Sequence, residues 1–177
     1  MGYHGSALDA RPGKKRGGGG RNVSIEVRGA GVLDVPAIQR LINGYAAEGV
    51  MLPRSLHSIY GQVRDHLVAV QNGDILGCVA LSIVWEDLAE VRSLAVAKQA
   101  QGTGIGTELV ERCVREARSL GIRRIFTLTF VPDYFRRHGF VVVEKSELPH
   151  KIWRECVDCV HFPDCDEVAL VLDIGPA

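Results

Sequence analysis

Three glycines on alternate positions, Gly102, Gly104 and Gly106, stand between an apolar run and an amphipathic segment. The apolar run, residues 88–96, has the composition of a strand. After the glycines, apolar side chains recur at helical spacing on one face, and Gly121 is placed to end the helix. The segment is therefore predicted to be a strand, a glycine loop and a helix in succession.

A loop with so little side chain lets the backbone approach a ligand closely, and the free N–H groups at a helix start favour an anion. A phosphate or pyrophosphate group suits this combination best. A Walker loop is excluded, because Gly106 is followed by Thr107 and Glu108 and not by Lys and Ser or Thr. A dinucleotide fingerprint is a poor match, because the third glycine comes one place early. A simple tight turn is the remaining alternative.

The chain before this unit has its own regular pattern. Residues 23–30 alternate as a strand does, and Asp34 marks the start of a helix that continues to about residue 47. A second, short helix is predicted after Ser55. Residues 66–85 contain two apolar runs around an Asn-Gly pair, which is the strongest short signal of a hairpin. The predicted order is strand, helices, hairpin, and then the glycine-loop unit.

Composition limits the class of protein. The chain has 177 residues, 46% of them apolar, which fits one domain with a hydrophobic core, predicted at residues 23–177. Residues 1–22 hold few large apolar side chains and four consecutive glycines, and they are predicted to be a disordered extension. The 21 basic and 21 acidic residues balance, so neither a nucleic acid nor an anionic membrane is expected as a partner. No apolar run approaches the roughly 18 residues that span a bilayer, and we expect a cytoplasmic protein.

The loop QGTGIG, residues 101–106, resembles the acetyl-CoA loop Q/R-x-x-G-x-G/A of the GNAT N-acetyltransferases. Further along, IFTLTF (125–130) resembles the next strand of that family, and YFRRHGF (134–140) resembles its helix and Gly-Phe turn. The resemblance implies an α/β fold with a mixed, mostly antiparallel sheet that splays where acetyl-CoA enters. Acetyl-CoA is then the expected co-substrate.

Three further stretches, residues 49–55, 77–96 and 147–172, resemble the acetyltransferase domain of N-acetylglutamate synthases in their short form, without a kinase-like domain. Those enzymes transfer acetyl to the α-amine of L-glutamate at the start of arginine biosynthesis. The resemblance therefore implies L-glutamate as the small-molecule amine substrate. Another small amine, a protein acceptor and a non-catalytic acetyl-CoA-binding module are the alternatives, and the sequence is compatible with a homo-oligomer.

The resemblance also implies which residues bind acetyl-CoA: the end of the strand, the glycine loop and one aromatic residue. They are Leu94, Ala95, Val96, Gln101, Gly102, Thr103, Gly104, Ile105, Gly106, Thr107 and Phe135. A backbone amide at the end of the strand is expected to stabilise the oxyanion that forms during acyl transfer.

Attack on a thioester requires a neutral amine, so a base must take a proton from the α-ammonium group, directly or through water. By resemblance this base is Glu90, which in a regular strand shares a face with Arg92, Leu94 and Val96. The alternative is a carboxylate at the rim of the site, paired with Arg92 or another cation.

The departing thiolate needs a proton, which many GNAT enzymes supply from a tyrosine four residues before the glycine of the Gly-Phe turn. Phe135 occupies that position here, and Tyr134, on a helix, points about 100° away. By resemblance the donor is the hydroxyl of Thr129. Water as the donor, with Thr129 an ordinary strand residue, is the alternative.

Because L-glutamate carries two carboxylates, its pocket is expected to contain cations, above all arginine, whose fork matches a carboxylate. Arg54, in the loop between the first two helices, is the first candidate, and a solvated loop arginine is the alternative. Arg92 and Ser93 are the next substrate-binding candidates. Weaker candidates are Arg28, Lys151 and Arg154.

Three of the five cysteines, Cys156, Cys159 and Cys165, form a C-x2-C-x5-C pattern. With His161 or His150 as a fourth ligand this pattern is compatible with zinc, but the second half of a paired motif is missing. A redox-sensitive cluster and partly buried thiols in a loop over the substrate are the alternatives, and no metal is predicted.

The remaining cysteines and histidines carry weaker signals. Cys78 and Cys113 fall on apolar faces and are predicted to lie in the core. The histidines without a partner pattern are predicted at surface or capping positions; they are His57, His66 and His138.

Overall fold

The computed structural model describes residues 24–148 and 166–175, so the predicted extension at residues 1–22 and the three-cysteine segment lie outside the described residues. The described part contains seven strands and four α-helices. In chain order they are β1 (Glu26–Gly29), α1 (Val35–Ala46), α2 (Leu56–Gly61), β2 (His66–Gln71), β3 (Asp74–Trp85), β4 (Leu88–Val96), α3 (Ile105–Ser119), β5 (Arg124–Thr129), α4 (Pro132–Arg136), β6 (Val141–Val142) and β7 (Val168–Asp173).

The strands form one sheet in the order β1-β2-β3-β4-β5-β7-β6. All neighbouring strands are antiparallel except β4 and β5, which are parallel. A parallel pair needs a long crossover, and α3 provides it between the end of β4 and the start of β5. The mixed, mostly antiparallel sheet that the family resemblance implied is confirmed.

The hairpin between β2 and β3 turns at Asn72 and Gly73, as the sequence predicted. Their φ angles are 55° and 89°, so both residues are left-handed, as a two-residue hairpin turn that follows the twist of the strands requires. Asparagine and glycine adopt this conformation at the lowest cost. The turn sets the register at its end, where Gln71 faces Asp74.

Helix α3 packs its apolar stripe on one face of the sheet. The buried residues of the stripe are Ile105, Leu109, Val110, Cys113 and Ala117. Removing a large aliphatic side chain of this kind from water contributes roughly 1.5 to 3 kcal/mol. The helix comes close to the sheet at Gly77 on β3, where a Cβ atom would lie only 2.9 Å from Ile105 Cγ2 and 3.0 Å from Leu109 Cδ1.

Helices α1 and α2 cover the opposite face of the same sheet. Cys78 belongs to the cluster under α1, whereas its neighbour Val79 belongs to the cluster under α3, and successive strand residues point to opposite faces. Cys78 and Cys113 are both fully buried, as predicted, and burial raises the pKa of each thiol to about 12. No helix among residues 24–148 and 166–175 is long and apolar enough to cross a bilayer.

Candidate active site

The sheet parts between β4 and β5. These strands pair at three positions only in the described residues, ending with Glu90 opposite Phe126, although β4 runs on to Val96 and β5 to Thr129. The Ala97 N–H donates to the Leu76 carbonyl on β3. The Val96 carbonyl belongs to the same peptide group and points the opposite way, into the gap. Glu90 therefore stands where the gap begins.

A bulge in β4 changes which side chains share a face. Cys78 pairs with Ala95 but Ala80 pairs with Arg92, so one residue of β3 opposes two of β4, and the first of these, Ser93, has a left-handed φ of 54°. Glu90 and Arg92 consequently lie on the face covered by α1 and α2. The predicted shared face with Leu94 and Val96 is wrong, because it assumed regular alternation; those two side chains pack toward α3.

The glycine loop leads directly into α3. After a short 3-10 turn at Lys98–Ala100, Gly102 and Gly104 adopt φ angles of 75° and 89°, which side chains rarely allow. The Thr103 hydroxyl donates to the Ala100 carbonyl at 2.6 Å and fixes the loop between them. The first N–H groups of a helix that begins at Ile105 have no carbonyl one turn earlier to bond, so they are available to an anion.

Gly106, the third glycine, lies against the hydroxyl end of Tyr134. A Cβ atom at Gly106 would come within 2.6 Å of the Tyr134 hydroxyl. That oxygen is buried and reaches no partner at hydrogen-bond geometry in the described part of the chain. Burial raises the pKa of the Tyr134 phenol, and the nearby Thr107 side chain offsets part of the rise, so Tyr134 is protonated at neutral pH.

Arg54, the first substrate-binding candidate, is held through its backbone. The side chain of Asn43 on α1 accepts a hydrogen bond from the Arg54 N–H at 2.9 Å and donates one to the Arg54 carbonyl at 3.1 Å. Together these two bonds fix the position of the Arg54 Cα relative to α1. Asn43 was not singled out from the sequence, because an asparagine inside an amphipathic helix carries no signal of a contact eleven residues away.

Arg92 and Glu90 lie side by side on the face toward α2. An Arg92 nitrogen donates to the Gln62 side chain at 2.9 Å, and another stands 3.8 Å from a Glu90 carboxylate oxygen. The side chains are 9% and 17% exposed, respectively, so this pair is far better shielded from water than a surface ion pair. The contact with Arg92 that was the alternative for Glu90 is thus present, at the mouth of the gap.

His66 completes this cluster and corrects a prediction. It is 3% exposed, not at the surface, and its Nδ1–H donates to the Gln62 carbonyl at 2.9 Å. Burial lowers the pKa of His66, and the charges of Arg92 and Arg54 lower it further. Burial raises the pKa of its neighbour Asp65, which Arg92 partly offsets. The sequence signal was present in the position of His66 at the start of a buried strand.

Across the gap, Thr129 ends β5 and is buried. Its Oγ1 accepts a hydrogen bond from the Val131 N–H at 3.0 Å, which leaves the hydroxyl proton to be donated elsewhere. Phe135 on α4 is buried between Tyr134 and Phe140, with ring centroids at 5.3 and 5.4 Å, so it is a core residue. A contact between Phe135 and acetyl-CoA stays a prediction.

Arg28 forms an ion pair outside the cluster of Arg92, Glu90 and His66. Its guanidinium donates two hydrogen bonds to Asp34, at 2.6 and 3.0 Å, and these bonds are the main reason why the pKa of Asp34 is lowered. Asp34 precedes α1 as predicted, but its carboxylate accepts from the Gly31 N–H and does not cap the helix. Lys151 and Arg154 lie outside the described residues.

A second concave region lies away from the gap. A hollow of about 530 Å³ is lined by Asp87, Arg123, Arg124, Asp173 and Gly175. It opens at the start of β5, the end of the sheet opposite to the glycine loop, and β4 separates the two by roughly 26 Å. No group of three metal-ligating side chains occurs within residues 24–148 and 166–175.

The family model of the acetyltransferase (GNAT) family matches residues 45–141, more than half of the chain. The chain belongs to the GNAT family. An uncharacterized N-acetyltransferase of Chlorobaculum tepidum is 41% identical over 145 residues, covering 82% of this chain and 94% of the relative. An amino-acid acetyltransferase of Mycobacterium tuberculosis is 38% identical over 132 residues, covering 73% and 75%. That of Neisseria meningitidis serogroup A is 33% identical over 127 residues, and this GNAT chain spans 29% of its length.

Solved structures agree with this assignment. A Mycobacterium tuberculosis protein in complex with CoA superposes with a TM-score of 0.73 and 32% identity, covering 84% of this chain and 99% of the other. The N-acetylglutamate synthase from Neisseria gonorrhoeae, complexed with coenzyme A and N-acetyl-glutamate, gives a TM-score of 0.78 at 27% identity, covering 86% of this chain and 36% of the synthase. The GNAT fold predicted from the glycine loop is confirmed.

Proposed function

We propose that this protein transfers the acetyl group of acetyl-CoA to the α-amine of L-glutamate. The names of the relatives support an amino-acid acetyltransferase. L-glutamate as the acceptor is the more specific part of the proposal. The observation that carries the finer statement is the cluster at the mouth of the gap, where Arg92 stands 3.8 Å from Glu90, together with Arg54, whose backbone Asn43 on α1 holds in place. A guanidinium beside a carboxylate, with a second arginine just before α2 on the same face of the sheet, suits an acceptor with two carboxylates and one ammonium group.

The glycine loop suits the diphosphate of coenzyme A. Its left-handed glycines expose backbone without side chains, and the start of α3 directs free N–H groups at the same place. When bound, acetyl-CoA supplies an acetyl group activated as a thioester. The gap between β4 and β5 lies beside this loop and leads back toward Glu90.

Glu90 takes the role of the base. Its carboxylate oxygens accept a proton from the α-ammonium of the acceptor, directly or through one water, which makes the amine nucleophilic. Arg92, at 3.8 Å on the same face of the strand, holds the carboxylate beside the gap. Arg54 and Arg92 then orient the acceptor through its carboxylates.

Two groups at the gap complete the chemistry. In an antiparallel pairing the N–H and the carbonyl of one residue point to the same side, so the Val96 N–H faces the gap, where it can stabilise the oxygen that gains negative charge. The hydroxyl proton of Thr129 is available to the departing sulfur, because its oxygen is already engaged as an acceptor. The product of this reaction, N-acetyl-L-glutamate, places the enzyme at the start of arginine biosynthesis.

The test is release of coenzyme A from acetyl-CoA with the twenty amino acids and several polyamines offered singly at matched concentrations. We expect a clear preference for L-glutamate, and we expect Arg54→Ala to raise the KM for L-glutamate with little change for acetyl-CoA. Preference for another amine keeps the acetyltransferase and removes L-glutamate as its substrate. No release with any acceptor, with acetyl-CoA still bound, points to a protein substrate or to a binding module.

A further inference from the structure

Tyr45 in the last turn of α1 reaches the segment that bears the glycine loop. Its hydroxyl donates a hydrogen bond to the Val96 carbonyl at 2.5 Å and accepts one from the Gln101 side-chain amide at 2.7 Å. Val96 is the last residue of β4, and Gln101 is the first residue of the loop motif. One side chain thus ties together the two ends of the 3-10 turn that leads into the loop.

The Val96 carbonyl that Tyr45 binds is the one that points into the gap. Because β4 has no paired neighbour on that side beyond Glu90 in the described residues, this carbonyl has no strand partner. A carbonyl left without a donor costs free energy when it is shielded from water. Tyr45 supplies the donor from a helix, and its ring has only two rotatable bonds, so the contact holds the strand end in a defined place.

We propose that Tyr45 is a positioning residue for acetyl-CoA, acting through Val96 and Gln101 on the conformation of residues 97–106. A loop with three glycines has many conformations to lose when it binds a ligand. The two bonds to Tyr45 restrict the loop beforehand, so less ordering remains for the moment of binding. Lys98 pairs with Glu48 next to this contact, but both side chains are exposed and add little.

The proposal rests on acetyl-CoA as the co-substrate and is independent of L-glutamate as the acceptor. The first measurement is the Kd of coenzyme A by titration calorimetry for the wild type, Tyr45→Phe and the control Tyr60→Phe, whose ring is exposed on α2. Tyr45→Phe keeps the ring and removes both hydrogen bonds. We expect its Kd to rise roughly tenfold, which corresponds to about 1.4 kcal/mol, because two neutral hydrogen bonds that order the loop are lost. Tyr60→Phe should bind as the wild type does.

Gln101→Leu and the double variant separate positioning from direct contact. If Gln101 acts through Tyr45, the double variant weakens coenzyme A binding by less than the product of the two single effects. Amide hydrogen exchange gives a second readout that does not depend on the fold as a whole. In free Tyr45→Phe, the amides of residues 102–107 should exchange faster, whereas those of α1 and β3 keep their protection.

Kinetics complete the test. We expect Tyr45→Phe to raise the KM for acetyl-CoA while the KM for the acceptor stays within twofold, a split that general loss of stability does not produce. A coenzyme A Kd within twofold of the wild type, or a tighter one, would overturn the proposal even if L-glutamate is acetylated. Failure of L-glutamate as the acceptor would leave the coenzyme A titration as decisive as before.

Discussion

Glu90 stands where the parallel pairing of β4 with β5 ends in the described part of the chain. Its carboxylate faces Arg92, and the gap between the strands opens one residue further on. Arg92 in turn donates to the Gln62 side chain, and the Gln62 carbonyl accepts from His66. No spacing in the sequence indicates these contacts, because they come from separate elements. The acid–base chemistry proposed above depends on this residue more than on any other.

Glu90→Gln keeps the size of the side chain and removes its capacity to accept a proton. We expect kcat to fall roughly 100-fold or more, in the range typical of a lost general base, while the Kd of coenzyme A changes less than twofold. Steady-state kinetics over a pH range, with calorimetry for coenzyme A, measure both. Glu86→Gln, in the exposed turn before β4, is the matched control. Full turnover by Glu90→Gln across the pH range would show that another group is the base.

His66 makes stability depend on pH. Its pKa is lowered from 6.5 in the folded state, mainly by burial, so the folded protein binds fewer protons than the unfolded chain. The stability that neutral His66 contributes is therefore lost as the pH falls from above 6.5 toward the pKa of His66 in the folded protein. Urea unfolding at several pH values should show His66→Gln losing less stability than the wild type between neutral and mildly acidic pH. Parallel curves for the two proteins would contradict the assignment.

Substitutions at Gly106 and Tyr134 are expected to have coupled effects on stability, because the Tyr134 hydroxyl lies close to Gly106. Gly106→Ala places a methyl group 2.6 Å from a buried hydroxyl, and overpacking of this kind costs roughly 1 to 3 kcal/mol. Tyr134→Phe removes the oxygen, leaving the ring carbon at an ordinary 3.4 Å from the new methyl group. We expect the double variant to regain most of the stability and coenzyme A affinity that Gly106→Ala loses. Unfolding free energies of all four proteins that simply add would refute the coupling.

Among the elements, α1 contacts both Arg54, which is proposed for the acceptor, and the segment that leads into the glycine loop. Asn43 holds the backbone of Arg54, and Tyr45, two residues on, holds the end of β4 and the loop. Side chains two positions apart on a helix point in clearly different directions, so one turn serves two sites. The amphipathic pattern predicted the helix and its buried face but not this polar end.

Asn43→Ala should loosen the acceptor side alone. With both bonds to Arg54 removed, we expect the KM for the acceptor to rise roughly tenfold and the Kd of coenzyme A to stay within twofold. Asn43→Asp still accepts from the Arg54 N–H but loses the donor, and an intermediate effect is expected. Kinetics with each substrate varied in turn measure the split. Equal losses for both substrates would mean that Asn43 supports the fold in general.

The bulge in β4 shows where sequence patterns stop being informative. The limits of β4 were predicted at residues 88–96 and are confirmed, because apolar composition and the glycines after it mark both ends. The left-handed residue inside it is a serine, although glycine or asparagine usually marks such a position. Regular alternation therefore correctly predicted that Glu90 and Arg92 share a face. It wrongly predicted that Leu94 and Val96 lie on that face too.

For the whole molecule, local signals predicted the fold and long-range contacts determined the site. Two-residue turns, helix starts and apolar spacing are properties of short segments, and those of the hairpin, α2 and α3 are confirmed. Asn43 and Tyr45 contact residues that are distant in sequence. His66 is buried by other elements that pack around it. The catalytic and substrate-binding roles of Glu90, Thr129 and Arg54 stay predictions that the experiments above address.

The pairing of β4 with β5 divides the sheet into two parts. Strands β1 to β4 are joined by antiparallel pairing between sequence neighbours, and β5 to β7 form a second antiparallel group. Among the residues that the structure describes, three residue pairs join the two groups. We expect the amides of β5 and β7 to share an opening of lower free energy than those of β2 and β3. Native-state hydrogen exchange at low urea measures this. A single common opening for all strands would contradict it.

The same division bears on how the chain is made. A ribosome synthesises β1 to β4 and α3 before β5, and every strand pairing within that first part joins consecutive strands. Arg54, Glu90 and the glycine loop all belong to the part that emerges first, whereas Thr129 arrives with the second. The nascent chain can thus expose Arg54, Glu90 and the glycine loop while the far wall of the gap is still inside the ribosome.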